Sequence, residues 1–239
     1  MEREIPKREE SQLNQCIRIC FLGIDGSGKS TLSRYLCNEL RRRGYTVSHT
    51  WWLEGENSAF RTLLRMAGKR YRSQVSYPET RTASTDHTSR FAARVFKAVY
   101  PPLVLLDYLR FGIVKAWLPA LFSADRVIIF DRFIYDTVLA LSHDFKFVPG
   151  KQERLLSLYD RLLPTPDIIF IIDVPPKVAQ ERKSDEIASI AVAQKMHDRY
   201  SDLFEQIERS IQSQIVHCDN THDLGNVKTE ILQLTLDFL

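Results

Sequence analysis

The sequence feature that most constrains the fold is a glycine-rich stretch between an apolar segment and a segment with helical spacing. Residues 23–30 are Gly-Ile-Asp-Gly-Ser-Gly-Lys-Ser, which has the spacing Gly-x-x-x-x-Gly-Lys-Ser. Residues 16–22 before it are mostly apolar or β-branched, which predicts a buried strand. Residues 31–43 after it carry apolar side chains at helical intervals. Strand, glycine turn and helix are the context of the phosphate-binding P-loop, also called Walker A.

This loop has the chemistry of a nucleotide site. Its glycines allow successive backbone N–H groups to turn inward around a phosphate. Lys29 would place a positive charge on the β- and γ-phosphates, and the Ser30 hydroxyl would bind Mg²⁺. We expect Lys29 to lie on the solvent side of the loop rather than in the core. The predicted nucleotide-binding and cofactor-binding residues are Gly23, Asp25, Gly26, Ser27, Gly28, Lys29, Ser30 and Thr31.

The composition indicates an ordinary globular domain. Of 239 residues, 44% are hydrophobic and 26% are charged. The net charge of +3 is too small to indicate a nucleic-acid partner. The four cysteines contain no Cys-x-x-Cys pair, so we expect small core side chains rather than zinc ligands or disulfides. Residues 1–15 are polar and lack the apolar core of a signal peptide, which predicts a disordered extension before one domain at 16–239.

One apolar stretch resembles a membrane segment in composition. Residues 100–122 are rich in leucine, valine and aromatic side chains, but they also contain three charged residues and three prolines. Central charges are costly in a membrane span, so we interpret this stretch as a buried or partner-facing helix. We therefore expect a cytoplasmic protein without a membrane partner.

Strand and helix patterns alternate along the chain. Apolar runs predict further strands at 44–50, 126–130, 167–173 and 215–218, and a closing helix follows at 223–238. Short apolar strands separated by helices favour a parallel sheet with helices on both faces. Ligands of such sheets bind beyond the carboxyl ends of the strands, where the P-loop is also predicted.

A second motif, Asp131-Arg132-Phe133, follows the strand at 126–130. Asp131 could hold Mg²⁺ through water or accept a proton from the attacking group, and Arg132 could bind a phosphate with two hydrogen bonds. A helix cap beside a surface arginine is the alternative. Asp25 would repel donor phosphates unless it points away, so it could accept hydrogen bonds from a second substrate. A solvated loop aspartate is the alternative there.

Two further groups are candidates for binding and catalysis. Arg182, with Lys183, ends the helix after the fourth strand and opens a polar stretch at 182–190, which we interpret as a short lid that brings positive charge to the reaction. A charged helix end on the surface is the alternative. The helix pattern before residue 100 contains an aromatic residue and two arginines that could stack on a base and hold an acceptor phosphate, although core packing is equally compatible. The predicted catalytic residues are Lys29, Asp131, Arg132 and Arg182; the acceptor-binding residues are Asp25, Arg90, Phe91, Arg94 and Arg132; the metal-binding residues are Ser30 and Asp131.

These residues resemble the thymidylate kinase-like family of P-loop nucleoside monophosphate kinases. The resemblance rests on residues 23–31, on Asp131-Arg132-Phe133, and on residues 166–173 followed by Arg182. It covers nearly the whole chain from about residue 17. It implies an α/β, three-layer P-loop kinase fold with a five-stranded parallel sheet flanked by helices and a short lid.

The resemblance also implies an activity in nucleotide metabolism. The implied reaction is ATP-dependent phosphoryl transfer to a nucleoside monophosphate, dTMP + ATP to dTDP + ADP. Mg²⁺ would be the cofactor, and the protein would assemble as a homodimer. It would place Asp25 on the acceptor sugar and Arg132 on the acceptor phosphate. Asp131 would lie near the metal or the attacking oxygen.

The acceptor half of the motif set departs from the usual family pattern. Residues 50–55 are Thr-Trp-Trp-Leu-Glu-Gly, where the family usually has an Arg-Glu-Pro-Gly-Gly stretch. A kinase of the same fold that acts on another small acceptor, such as a nucleoside or sugar, therefore stays open. A GTP-binding switch is disfavoured because the chain lacks Asn-Lys-x-Asp and has Ile134 where such a switch needs glycine. A nucleotide-binding regulator without catalysis would require Lys29 or Asp131 to be misplaced.

Overall fold

A parallel β-sheet forms the centre of the described part of the chain. The computed structural model describes residues 16–51, part of 99–118, 126–144, 150–163, 165–221 and 224–239. Within these residues the strand order is β2-β3-β1-β4-β5, and every neighbouring pair is parallel. The predicted five-stranded parallel sheet is confirmed. The strands are β1 (Ile17–Leu22), β2 (Thr46–Trp51), β3 (Arg126–Asp131), β4 (Ile168–Asp173) and β5 (Gln214–Asp219).

Helices follow the strands and cover the sheet. None of those within the described ranges is long and apolar enough to cross a bilayer. Residues 102–107 are also helical. The sequence pattern further predicts a helix at 57–69, a loop at 71–84 and a helix pair at 86–122. The first two of these, the extension at 1–15 and much of the helix pair fall outside the described residues. The helices are α1 (Lys29–Arg42), α2 (Ile134–Asp144), α3 (Lys151–Leu162), α4 (Pro176–Arg182), α5 (Ile190–Ser210) and α6 (Leu224–Phe238).

The observed boundaries differ from the sequence patterns by one or two residues, and glycine explains one difference. The second strand was predicted from Gly44 but begins at Thr46. Gly44 has a φ of 92°, and its N–H donates to the carbonyl of Arg41. Such a left-handed glycine ends a helix, so Gly44 belongs to the end of α1 rather than to β2.

Each face of the sheet has its own hydrophobic core. Successive side chains of a strand point to opposite faces, so β1 contributes Ile19 and Phe21 to one core and Cys20 and Leu22 to the other. The first core is closed by α1 and α6, and the second by α2, α3 and α5. This arrangement confirms the three-layer α/β fold. All four cysteines are free and at least half-buried, in agreement with the predicted core role.

The central position of β1 determines where the functional motifs meet. It pairs with β3 on one side and β4 on the other, and Phe21 is in register with Asp131. The chain leaves β1 into α1 on one face and leaves β3 into α2 on the other. Adjacent strands whose helices lie on opposite faces leave a crevice beyond their carboxyl ends, and both motifs open into it.

At the amino ends of the strands, opposite the end that carries the P-loop, Asp167 connects the starts of β1 and β4. Its carboxylate accepts a hydrogen bond from the Arg18 backbone N–H at 2.8 Å and two from the Arg18 guanidinium at 3.1 Å each. The Asp167 N–H donates to the Arg18 carbonyl at 2.7 Å. Charge-assisted bonds of this kind are stronger than neutral ones, so this contact contributes to the stability of the sheet at a distance from the P-loop.

We predict that Asp167→Ala lowers the free energy of unfolding by about 2 kcal/mol, because the Arg18 N–H and guanidinium lose their acceptor. Urea denaturation measures the change. Asp202→Ala is the matched control: Asp202 is exposed on α5, and its loss should change stability by no more than about 0.5 kcal/mol. An equal change in both variants would show that the Arg18–Asp167 contact contributes nothing specific.

Candidate active site

The P-loop (residues 23–30) connects β1 to α1 in close contact with two other segments. Gly26 and Gly28 have φ values of 85° and 95°, which side chains rarely adopt. A Cβ at Gly26 would lie 2.6 Å from the carbonyl oxygen of Ala179, and one at Gly28 would lie 2.4 Å from Nδ2 of Asn220. The loop therefore requires glycine at both positions for its conformation and for its packing.

The loop ends at a helix N-terminus that suits an anion. Gly28 is the N-cap of α1, without a side-chain capping bond, and the first turn of α1 contains no acidic residue. The first N–H groups of a helix have no acceptor within it and carry the positive end of the helix dipole. Lys29, Ser30 and Thr31 occupy this turn. Backbone and side-chain donors predicted for phosphate binding are thus in one place.

The position of Lys29 corrects one expectation. We expected it on the solvent side of the loop, but its side chain is only 4% exposed. Its Nζ donates to the Ile24 carbonyl at 2.9 Å and to Asp25 Oδ1 at 3.3 Å. The expectation was wrong because the loop folds over the lysine. Burial, followed by the charge of Arg132, lowers the pKa of Lys29, and nearby carboxylates oppose that shift.

Asp25 lies between two cations. Its Oδ1 accepts hydrogen bonds from Lys29 Nζ and from Arg132 Nη2. Burial by itself would raise the pKa of Asp25, but the charges of Lys29 and Arg132 outweigh burial and hold the pKa below its ordinary value. Asp25 is therefore ionised at neutral pH and paired, so the alternative of a solvated loop aspartate is wrong.

Asp131 and Arg132 occupy the end of β3 with unusual backbone geometry. Asp131 is buried, and its Oδ1 has no hydrogen-bond partner among the described residues. Arg132 has a φ of 72°, and its N–H donates to the Phe21 carbonyl at 3.1 Å. A left-handed residue other than glycine costs about 1–3 kcal/mol and persists only where its surroundings hold it. Strain of this kind is typical of functional sites.

Two residues that the sequence analysis missed hold the Arg132 guanidinium. Arg132 Nη1 donates to Asp136 Oδ1 at 3.3 Å, and the Tyr200 hydroxyl donates to the same oxygen at 2.5 Å. The Asp136 side chain is only 3% exposed. Burial would lower the pKa of Arg132, but Asp136, Tyr200 and Asp25 raise it. The four-residue spacing from Arg132 was a signal for Asp136, whereas nothing in the local sequence pointed to Tyr200.

Arg182 lies against the P-loop at the end of α4. Its Nη2 donates to the Asn220 carbonyl at 3.0 Å, and its Nη1 approaches the Gly26 carbonyl at 3.5 Å. The alternative of a helix end with no link to the site is therefore disfavoured. Lys183, the other candidate, is directed to Glu186 at 2.6 Å. Residues 183–189 connect α4 to α5, where a lid was predicted.

A third missed residue, Asn220, directly follows β5. It is 2% exposed, and its Nδ2 donates to the Ser27 carbonyl at 2.7 Å. No local sequence pattern indicates that Asn220 belongs to the site, because 193 positions separate it from Ser27.

The structure brings most of the predicted site residues together. The P-loop residues, Asp131, Arg132 and Arg182 share the carboxyl edge of the sheet. The three predicted acceptor residues Arg90, Phe91 and Arg94 lie outside the described residues. The described arrangement provides cationic and N–H donors for more than one phosphate group. It also contains a buried carboxylate oxygen, Asp131 Oδ1, with no hydrogen-bond partner among the described residues.

Comparisons with known proteins agree with this geometry. No protein-family model matches the chain. A probable thymidylate kinase of Methanothermobacter thermautotrophicus is 29% identical over 77% of this chain and 79% of its own length. A thymidylate kinase of Wolbachia pipientis is 30% identical over 70% of this chain and 72% of its own. A probable thymidylate kinase of Thermococcus onnurineus is 24% identical over 90% and 98%.

The overlap with these relatives extends over most of each chain, so it is not limited to the P-loop. The resemblance found from the motifs is confirmed, and so is the prediction of a thymidylate kinase-like phosphotransferase. The parallel sheet, the P-loop and the arginine after β3 are consistent with these relatives, so fold, site and sequence similarity agree. The chain belongs to the thymidylate kinase family.

Proposed function

We propose that this protein transfers the γ-phosphoryl group of ATP to dTMP and so produces dTDP and ADP. The names of the relatives support this reaction. The observation that carries it is the placement of Lys29 and Arg132 on either side of Asp25 at one edge of the sheet. Transfer between two phosphate-bearing substrates requires one cationic group for each phosphate, held close together.

The donor half consists of the P-loop and Arg182. The N-terminus of α1 and Lys29 would bind the β- and γ-phosphates of ATP. Negative charge spreads over the transferred group in the transition state, and fixed positive charges stabilise it. Arg182 is already held against the loop by the Asn220 carbonyl. We propose that it supplies part of this charge from the root of the lid.

Ser30 and Asp131 suit a magnesium ion. Mg²⁺ prefers oxygen ligands and usually keeps several waters alongside one or two protein oxygens and the substrate phosphates. The buried Asp131 Oδ1, without a hydrogen-bond partner among the described residues, is an oxygen of this type. Mg²⁺ would neutralise charge on the nucleotide phosphates. Within the described ranges no cluster of three or more histidine, cysteine or acidic residues could hold a metal.

The acceptor half is organised by Arg132. Its guanidinium could bind the dTMP phosphate with two parallel hydrogen bonds, while Asp136 and Tyr200 hold its other side. Asp25 would leave Lys29 and Arg132 as the two phosphates bind, and would then accept a hydrogen bond from the acceptor sugar. Asp131 ends β3 directly before Arg132, and we propose that it lies near the metal or takes the proton of the attacking group. We further assign the acceptor base and phosphate to Phe91, Arg90 and Arg94.

The apolar segment at 99–118 supports a homodimer. Its described residues include five exposed large hydrophobic side chains, and exposed apolar side chains are typical of an interaction surface where they adjoin one another. We propose that a second copy of the chain covers it, and that the dimer acts in the cytoplasm on a small-molecule acceptor, without a nucleic-acid or membrane partner. The five residues are Val99, Leu106, Ile113, Val114 and Leu118.

The reaction is tested by a coupled assay of ADP release with Mg²⁺ and ATP over nucleoside monophosphates, nucleosides and sugars. We predict the highest kcat/KM with dTMP. A nucleoside or sugar as best substrate would contradict the proposed acceptor, although the kinase chemistry would stand. Absence of ADP release with every acceptor would contradict phosphoryl transfer itself.

We predict that Lys29→Met lowers kcat/KM by about 100-fold or more, because a positive charge beside the transferred group is lost. Methionine keeps the length of the buried side chain and avoids a cavity. Lys195→Met on the exposed surface of α5 is the control and should leave activity unchanged. Activity of a folded Lys29→Met protein above half of the original would contradict the role of Lys29.

We predict that Arg132→Lys raises the KM for the acceptor by about tenfold and changes the KM for ATP less than twofold, because lysine keeps the charge but loses the planar fork. Keeping the charge also avoids leaving Asp136 unpaired. Arg209→Lys, on the exposed end of α5, controls for a general effect. Equal losses for both substrates would argue against an acceptor-side role for Arg132.

A further inference from the structure

We infer that Asn220 is a positioning residue for the donor nucleotide: its side-chain amide holds the Ser27–Gly28 peptide so that the Gly28 N–H is directed to the phosphates. The inference rests on the proposed function in one respect, since the phosphates are taken to be those of ATP. Asn220 lies outside the P-loop motif and outside every motif on which the family resemblance rests.

The position of Asn220 is defined by bonds to three parts of the site. Its backbone N–H donates to the Asp173 carbonyl at 2.9 Å, which attaches it to the end of β4. Its Nδ2 donates to the Ser27 carbonyl at 2.7 Å, and its own carbonyl accepts a bond from Arg182 at 3.0 Å. The side-chain Oδ1 is buried with no partner among the described residues. The bond to Ser27 is thus the polar contact that orients the side chain.

Peptide geometry converts this bond into an orientation of the Gly28 N–H. In a planar trans peptide the C=O and N–H bonds point in opposite directions. Because the Ser27 carbonyl is directed to Asn220, the Gly28 N–H is directed away from it. Gly28 is the N-cap of α1, where N–H groups have no acceptor in the helix and bind anions. An N–H that points away from Asn220 at this helix end is the kind of donor that a P-loop offers to phosphate.

The neighbouring glycines explain why an external contact is needed. Glycine adopts many backbone conformations, so Gly28 leaves the orientation of the peptide that precedes it weakly restricted unless a contact holds it. Asn220 packs so closely that a Cβ at Gly28 would lie 2.4 Å from its Nδ2. The same residue therefore restricts the space around the peptide and provides its hydrogen-bond donor.

The bond to Arg182 extends this role to the lid. The Arg182 guanidinium binds the carbonyl of Asn220, while the Asn220 side chain binds the loop. A shift of Asn220 would therefore disturb a loop donor and a predicted catalytic cation together. Both belong to the donor half of the site, whereas Arg132 in the acceptor half bonds to Asp136 and Asp25, and within the described part of the chain neither Arg132 nor Asp136 bonds to Asn220. Loss of the amide should affect ATP and spare the acceptor.

The test measures KM for ATP, KM for dTMP, and the Kd of Mg·ADP by calorimetry, in Asn220→Ala and Asn220→Asp. Aspartate has the same shape, cannot donate to Ser27 when ionised, and repels both the carbonyl and the phosphates. We predict that alanine raises KM for ATP and Kd for ADP about tenfold, that aspartate raises them further, and that KM for dTMP changes less than twofold. Thr221→Ala is the control, because the Thr221 hydroxyl donates locally, to Asp219.

An unchanged Kd for ADP in either folded variant would overturn the inference. Equal losses for ATP and dTMP, accompanied by a lower thermal midpoint, would also overturn it, because they would indicate a purely structural role. If the alanine variant does not fold, the aspartate variant decides. The calorimetric arm does not depend on dTMP as acceptor, so a wrong acceptor is distinguishable from a wrong role for Asn220.

Discussion

The proposed site depends on one carboxylate, Asp25, that pairs with two cations: the buried Lys29 and the partly buried Arg132. Without Asp25, Lys29 and Arg132 would place two positive charges close together in a part of the protein that is largely shielded from water, and each already bears a desolvation cost. The Asp25 carboxylate compensates both charges and is itself held ionised by them. In the proposed reaction, two substrates with phosphate groups would replace this compensation, so the same pairing would serve both stability without ligand and affinity with ligand.

The sheet provides the positions that make this pairing possible. Because β1 is central and parallel to β3, the loop after β1 and the residues after β3 emerge side by side, with Phe21 in register with Asp131. The left-handed backbone of Arg132 then turns its side chain towards Asp25, and Asp136 and Tyr200 hold it from the other side. On the donor side Asn220 and Arg182 support the loop. The proposed donor and acceptor halves thus meet at Asp25.

The sequence predicted the parts of this arrangement that depend on local pattern. The apolar runs of β3 and β4 identified buried parallel strands within one residue, because such strands are continuous in hydrophobicity. The P-loop and Asp131-Arg132 were recognised because their chemistry is encoded in short spacings. The burial of Lys29 and the roles of Tyr200 and Asn220 were not predicted. They arise from contacts across 64 and 193 positions and from packing that no local pattern encodes.

The central claim is that Asp25 separates a donor-phosphate site at Lys29 from an acceptor-phosphate site at Arg132. The most direct measurement is a crystal structure of the protein with ADP, Mg²⁺ and dTMP. We predict that the β-phosphate of ADP accepts hydrogen bonds from Lys29 and the P-loop N–H groups, and that the dTMP phosphate lies within hydrogen-bond distance of Arg132. Asp25 should be displaced from both cations towards the sugar. A dTMP phosphate bound away from Arg132, with the Asp25 pairs intact, would contradict the account.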